Sequence, residues 1–71
     1  MEDLWIKDIK VSLGEYQGKK YLDMRKYFYD KETSEKKPTG KGVTINNIQD
    51  IDTLIKYLTD NKSEIQKYLE K

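Results

Sequence analysis

Residues 20–29, Lys20-Tyr21-Leu22-Asp23-Met24-Arg25-Lys26-Tyr27-Phe28-Tyr29, decide how this 71-residue chain folds. As a strand, Leu22 and Met24 alternate with Asp23 and Arg25, as on a half-buried sheet. As a helix, Tyr21, Met24, Arg25 and Phe28 share one face, and Leu, Met, Arg and Lys are good helix formers. The three consecutive aromatics and the Gln17-Gly18 turn signal just upstream favour the strand. The residues by themselves leave the helix open.

Upstream, Trp5 to Tyr16 reads as one strand, with Trp5, Ile9, Val11 and Leu13 on one face and Asp8, Lys10, Ser12 and Gly14 on the other. Lys7 interrupts the pattern near the start, where a strand frays. Downstream, Asp30 to Ser34 is turn material and Pro38 suits only an edge strand. Thr39-Gly40-Lys41-Gly42 reads as a flexible basic connector to a short strand, Val43-Thr44-Ile45. Strands are therefore expected over about 5–16, 20–29, 35–38 and 42–46. They form an antiparallel meander, because no connection is long enough for a parallel crossover.

Asn46 or Asn47 then caps a helix over about 47–70. Ile48, Ile51, Ile55, Leu58, Ile65 and Leu69 recur at alternating steps of three and four, with Lys62 in the one polar slot. Thr59-Asp60-Asn61 weakens the middle and Ser63-x-x-Gln66 offers a second cap, so the segment is one kinked helix or two in series. Such a stripe ordinarily covers a sheet. This one runs roughly 30 Å, longer than a small sheet is wide. A second copy of the same helix is the economical cover, through Ile51, Ile55, Leu58, Ile65 and Leu69.

Composition points the same way. The chain is one small domain, 35% hydrophobic and 38% charged, with no cysteine for a disulfide and no Cys/His set for a structural metal. Oligomerisation is the remaining common support, so a homodimer is expected. Lacking His and Cys, the chain has no usual general base, thiol nucleophile or transition-metal ligand; no catalytic residue, metal or cofactor is expected. No small-molecule substrate is expected either. Nothing resembles a signal peptide or membrane span, and an intracellular protein with no membrane partner is expected.

Net charge is only +1, but its distribution is uneven. Tyr16 to Gly42 holds eight basic against four acidic residues, whereas Asn47 to Lys71 holds four against five. Lys7, Lys10, Tyr16, Lys19, Lys20, Arg25, Lys26, Phe28, Lys37 and Lys41 interleave cations with rings, the mixture that single-stranded nucleic acid wants. A solvated sheet face, with tyrosines for β-propensity and lysines for solubility, has the same composition. Gly40-Lys41-Gly42 lacks the spacing of a phosphate loop. Asp50 and Asp52 are ordinary acids in a helix's first turn.

The run Tyr16-Gln17-Gly18-Lys19, Leu22-Asp23-Met24-Arg25-Lys26-Tyr27-Phe28, Asp30 and Lys37-Pro38-Thr39-Gly40-Lys41-Gly42-Val43-Thr44-Ile45 resembles the single-stranded-DNA-binding core of the Positive Cofactor Four family, including its small bacterial and phage members. The resemblance spans about Lys7 to Leu69. It implies an α+β fold: a curved four-stranded antiparallel sheet followed by one long kinked C-terminal helix. Residues 1–71 would form one DNA-binding and dimerisation domain, a homodimer through the helices. That implication selects strand over helix for residues 20–29.

Residue by residue, Tyr16 and Phe28 match family aromatics that stack on bases, and Lys19, Arg25, Lys37 and Lys41 match cations on the backbone. Lys7 matches a basic position at the start of the first strand; Lys10 and Lys20 are added from charge and face alone. Phe28 stands where the family has Trp, Gln17 replaces a lysine, and Ile51 replaces a helix Trp. The turn from Asp30 to Glu35 is one residue longer, and the serine-rich acidic regulatory segment of the eukaryotic coactivator is missing. By strict alternation Phe28 opposes Arg25, so a bulge or bend is expected around Lys26 to Phe28 if both reach nucleic acid. A regular strand would instead bring Tyr27 or Tyr29 forward.

The expected function is a homodimeric, largely sequence-independent single-stranded-DNA-binding protein acting on opened DNA in transcription, replication or recombination. It would meet transcription or replication proteins in the cytoplasm or nucleoid of a bacterial or phage-infected cell, or in a eukaryotic nucleus. The alternatives are a coactivator or adaptor working mainly through protein–protein contacts, and an RNA-binding protein.

Overall fold

Residues 20–29 do form a strand. The computed structural model describes all 71 residues: strands β1 (Leu4–Ile6), β2 (Ile9–Tyr16), β3 (Lys19–Asp30) and β4 (Glu35–Ile45), then helix α1 (Ile48–Leu69). The strands form one antiparallel meander in the order β1-β2-β3-β4. In the β2–β3 turn, Gln17 and Gly18 have φ of 51° and 78°, as a two-residue primed hairpin turn demands.

Two boundaries differ from the sequence reading. The first expected strand is a hairpin, β1 and β2, turning at Lys7-Asp8 with Lys7 at φ 54°. No glycine flags that turn, which is why one continuous strand was expected. Its effect is to reverse Trp5: Leu4 pairs with Val11 and Ile6 with Ile9, while Trp5 pairs with Lys10 on the polar face. Lys7 accordingly lies in a turn and not at a strand's start. Conversely, the two expected strands 35–38 and 42–46 are one strand, β4. It is an edge strand, which is how Pro38 fits.

The connector expected to be flexible is a hydrogen-bonded bulge within β4. Arg25 pairs with Gly42 and Tyr27 with Pro38, so Thr39, Gly40 and Lys41 together oppose the single residue Lys26. The irregularity falls at Lys26 as expected, but its surplus residues belong to β4 and not to β3, so β3 keeps its alternation and Phe28 stays on the face opposite Arg25. The Thr39 hydroxyl holds it, donating to the Lys26 carbonyl (2.7 Å) and accepting from the Lys41 N–H (3.1 Å).

Asn47 is the N-cap of α1: its side-chain oxygen accepts from the Asp50 N–H (2.9 Å), and its Nδ2 donates to the Asp50 carboxylate (2.8 Å). The helix passes through Thr59–Ser63 unbroken, so the second cap at Ser63 is not used. No helix is long and apolar enough to cross a membrane.

The helix does not cover its own sheet. None of the 71 residues is buried, and Leu4, Ile6, Leu13, Val43, Ile48, Ile55, Leu58 and Leu69 all stand exposed. The radius of gyration is 14.9 Å, against roughly 11 Å for a compact domain of this length. The chain exposes 6574 Å², where a compact protein of 8.5 kDa exposes roughly 4,700 Å².

Two glycines are required by close approach. A Cβ on Gly42 would stand 2.9 Å from the Met24 carbonyl oxygen and 3.0 Å from Arg25 Cζ; one on Gly14 would meet the Tyr21 ring at 2.6 Å. The Tyr21 ring can swing aside, whereas the β3 backbone cannot. Gly42→Ala is expected to destabilise the fold by about 1–3 kcal/mol, and Gly14→Ala by less. Chemical denaturation at one fixed protein concentration checks this, and an equal or smaller effect at Gly42 contradicts it.

Candidate nucleic-acid interface

The register sorts side chains onto two faces. Lys10 lies opposite Arg25, Ser12 opposite Asp23, Gly14 opposite Tyr21 and Tyr16 opposite Lys19, all on the polar face. Val11 opposite Met24, Leu13 opposite Leu22, and the Leu22–Ile45 and Met24–Val43 pairs make the apolar face.

The polar face is concave. Trp5 on edge strand β1 meets Tyr27 edge-to-face, with centroids 5.1 Å apart and planes at 75°. The Lys36 ammonium, from the opposite edge strand β4, lies 4.6 Å from the Trp5 ring centroid. Side chains from the two edges meet only if the sheet curls toward them. The curl develops beyond the register break, where β2 has ended and the β3–β4 hairpin continues as an arm.

Arg25 is the most constrained cation here. Its Nε and Nη2 donate to the two Asp23 carboxylate oxygens at 3.2 and 3.1 Å, and Nη1 donates to the Thr39 carbonyl at 3.0 Å. The Arg25 side chain is 27% exposed and that of Asp23 15%. Three of the five guanidinium donors are thus occupied, orienting the fork and leaving two for a ligand. Lys10 is anchored to the Asp3 carboxylate at 3.3 Å. That hydrogen bond is the main cause holding its ammonium above the usual lysine range.

Of the residues expected to bind, the fold gathers Lys10, Tyr16, Lys19 and Arg25 on the concave face, with Tyr16 67% exposed. Lys41 stands in the bulge and Lys7 in the β1–β2 turn. Lys20 pairs with Glu15 on the other face. Phe28, 48% exposed, pairs with Lys37 on the outer side of the arm, and Lys37 is ion-paired to Asp30 at 2.9 Å. The sequence reading did not assign Trp5 or Lys36 to the interface, and it gave Tyr27 a place only if β3 were regular. The Lys7-Asp8 turn that exposes Trp5 is marked only by the break in alternation at Lys7 and by Asp8, a turn-favouring residue without a glycine beside it, and Lys36 reaches Trp5 only through the curl.

This geometry, a curled sheet with interleaved cations and rings, coincides with a match to known proteins. Residues 6–56 match the family model described as Transcriptional Coactivator p15 (PC4). The chain belongs to that family. No curated protein matches it. The span matched to the coactivator family contains every motif residue of the resemblance, Tyr16 to Ile45, and ends within α1.

Asp30 ties the arm's tip together. The Lys37 ammonium foremost, and then the Glu32 N–H (2.9 Å), hold its carboxyl below the usual aspartate range. A lowered folded-state value means the stabilisation is complete above the unfolded-state value and is lost as pH falls through the folded one. Amide exchange at Glu32 is therefore expected to accelerate, beyond its intrinsic pH dependence, as acid protonates Asp30. Asp30→Asn should remove that acid dependence; an unchanged profile contradicts the assignment.

Proposed function

We propose that this coactivator-family protein is a homodimer that binds single-stranded DNA, largely without regard to sequence, along the concave faces of its sheets. The observation that carries the reading is the gathering of Lys10, Lys19 and Arg25 with Tyr16 on one curled face, whose only strand acid, Asp23, is bound to Arg25. Ammonium and guanidinium groups neutralise phosphates, and unpaired bases stack on exposed rings. A duplex hides its base faces, so preference for single strands comes from stacking and not from charge.

Lys41 in the bulge and Lys7 in the turn add further cations. Phe28 and Lys37, on the outer side of the arm, offer a further ring and charge to a strand leaving the concave face around the arm's edge. Lys20, opposite Glu15 on the other face, lies outside this surface. Membership of a transcriptional coactivator family supports action inside the cell on DNA opened for transcription. Strands exposed in replication and recombination offer the same chemistry.

The uncovered helix stripe and apolar sheet face support the dimer. The surface excess over a compact monomer, roughly 1,900 Å², falls within the roughly 1,000–2,500 Å² that each partner buries in an obligate dimer. Ile51, Ile55, Leu58, Ile65 and Leu69 are the proposed helix contacts.

Fluorescence anisotropy with a labelled single strand and its duplex, across salt concentrations, tests the reading. The single strand should bind tighter, to a species of twice 8.5 kDa by sedimentation. Lys19→Ala should make the log–log salt slope shallower by about 0.7. Tyr16→Ala should weaken binding about tenfold at an unchanged slope. Equal affinity for duplex and single strand, or no binding, contradicts the proposal.

A further inference from the structure

Trp5 is the chain's only tryptophan, and the fold does not put it in an apolar environment. Its neighbours Leu4 and Ile6 face the apolar side of the sheet, while Trp5 alone of β1 faces the concave side, 41% exposed. Tyr27 fixes the ring edge-on at 5.1 Å. Two ammonium groups attend it, Lys36 at 4.6 Å from the centroid and Lys10 at 5.8 Å. Lys10 is tied to Asp3. Lys36 has no ion-pair partner; the ring is what holds it.

We propose that Trp5 and Lys36 together bind one unpaired nucleotide, Lys36 leaving the ring for the phosphate and Trp5 stacking on the base. The proposal rests on the single-stranded-DNA reading above and adds a stacking site to it. A ring quadrupole holds an exposed ammonium only weakly. A phosphate offers a full charge and hydrogen-bond acceptors to the same group. The lysine stem is flexible enough to turn from one to the other. The face it leaves is flat, already oriented by Tyr27, and lies beside Lys10, whose partner on β3 is Arg25. A nucleotide therefore supplies a better partner for each half of the resting pair.

Because Trp5 is the sole tryptophan, its emission reports on this site alone. The full chain is titrated with a thymidine oligonucleotide and with an abasic deoxyribose-phosphate chain of equal length, recording anisotropy and tryptophan emission together. Lys36→Met, carrying Lys10→Met as well so that neither ammonium is left over the ring, serves as a second background, in which emission cannot change through departure of an ammonium. The expected result is quenching by the oligonucleotide in both backgrounds, and none by the abasic chain in the second. Trp5→Ala should weaken oligonucleotide binding about tenfold and leave abasic binding unchanged, with Trp5→Phe in between. Binding by anisotropy with unmoved emission, or equal quenching by both chains in the second background, overturns the stacking role while leaving the single-strand reading in place. Absence of anisotropy change removes both.

Discussion

The pairing of β2 with β3 is the constraint on which the rest of the molecule depends. Lys10 against Arg25 and Ser12 against Asp23 put charge on one side; Val11 against Met24 and Leu13 against Leu22 put apolar surface on the other. A slip of one residue would exchange the two faces along the whole strand. With the register as it is, one face must be covered and the other is free. The chain's own helix does not supply the cover, since no residue of the protomer is buried. The same alternation therefore generates both the uncovered apolar face and the polar face on which the proposed ligand would lie.

The register break turns that surface into a concave one. Three residues of β4 against one of β3 force the β3–β4 arm to bend, and Arg25 spans the break by holding Asp23 and the Thr39 carbonyl at once. A guanidinium so held is oriented before any ligand arrives, so little rotamer freedom is lost when its remaining donors meet a phosphate. Gly42 makes the close approach possible, because a side chain there would strike the Met24 carbonyl and the Arg25 guanidinium. Arg25 on the concave face and the bend that shapes that face are one hydrogen-bonded unit.

Much of this was legible in the sequence. The period-two pattern from Ile9 to Leu13, the Gln17-Gly18 turn and the helical spacing from Ile48 to Leu69 each have a local cause, and each lies in the element expected of it, β2, the β2–β3 turn and α1. Residues 20–29 carried both periodicities, and the resemblance to a known family was needed to choose between them. A bulge near Lys26 was legible, but its surplus residues lie in β4, so it bends the arm without turning Phe28 to the face of Arg25. The Lys7-Asp8 hairpin was not legible, because no glycine marks a turn whose lysine takes positive φ, and so Trp5 was assigned to the wrong face. The contact between Lys36 and Trp5 is tertiary and depends on curvature, which no local pattern encodes.

The central claim is that the ligand lies on the concave polar face and not on the apolar one. Side-chain NMR of the isotopically labelled protein, titrated with a single-stranded oligonucleotide, tests it most directly. The account predicts that the Arg25 Nε–H and Trp5 indole N–H resonances move in step with binding, while the methyl groups of Val11, Leu13 and Val43 hold their positions. Movement of those methyls with a stationary Arg25 Nε–H would contradict it and assign the ligand to the other face of the sheet.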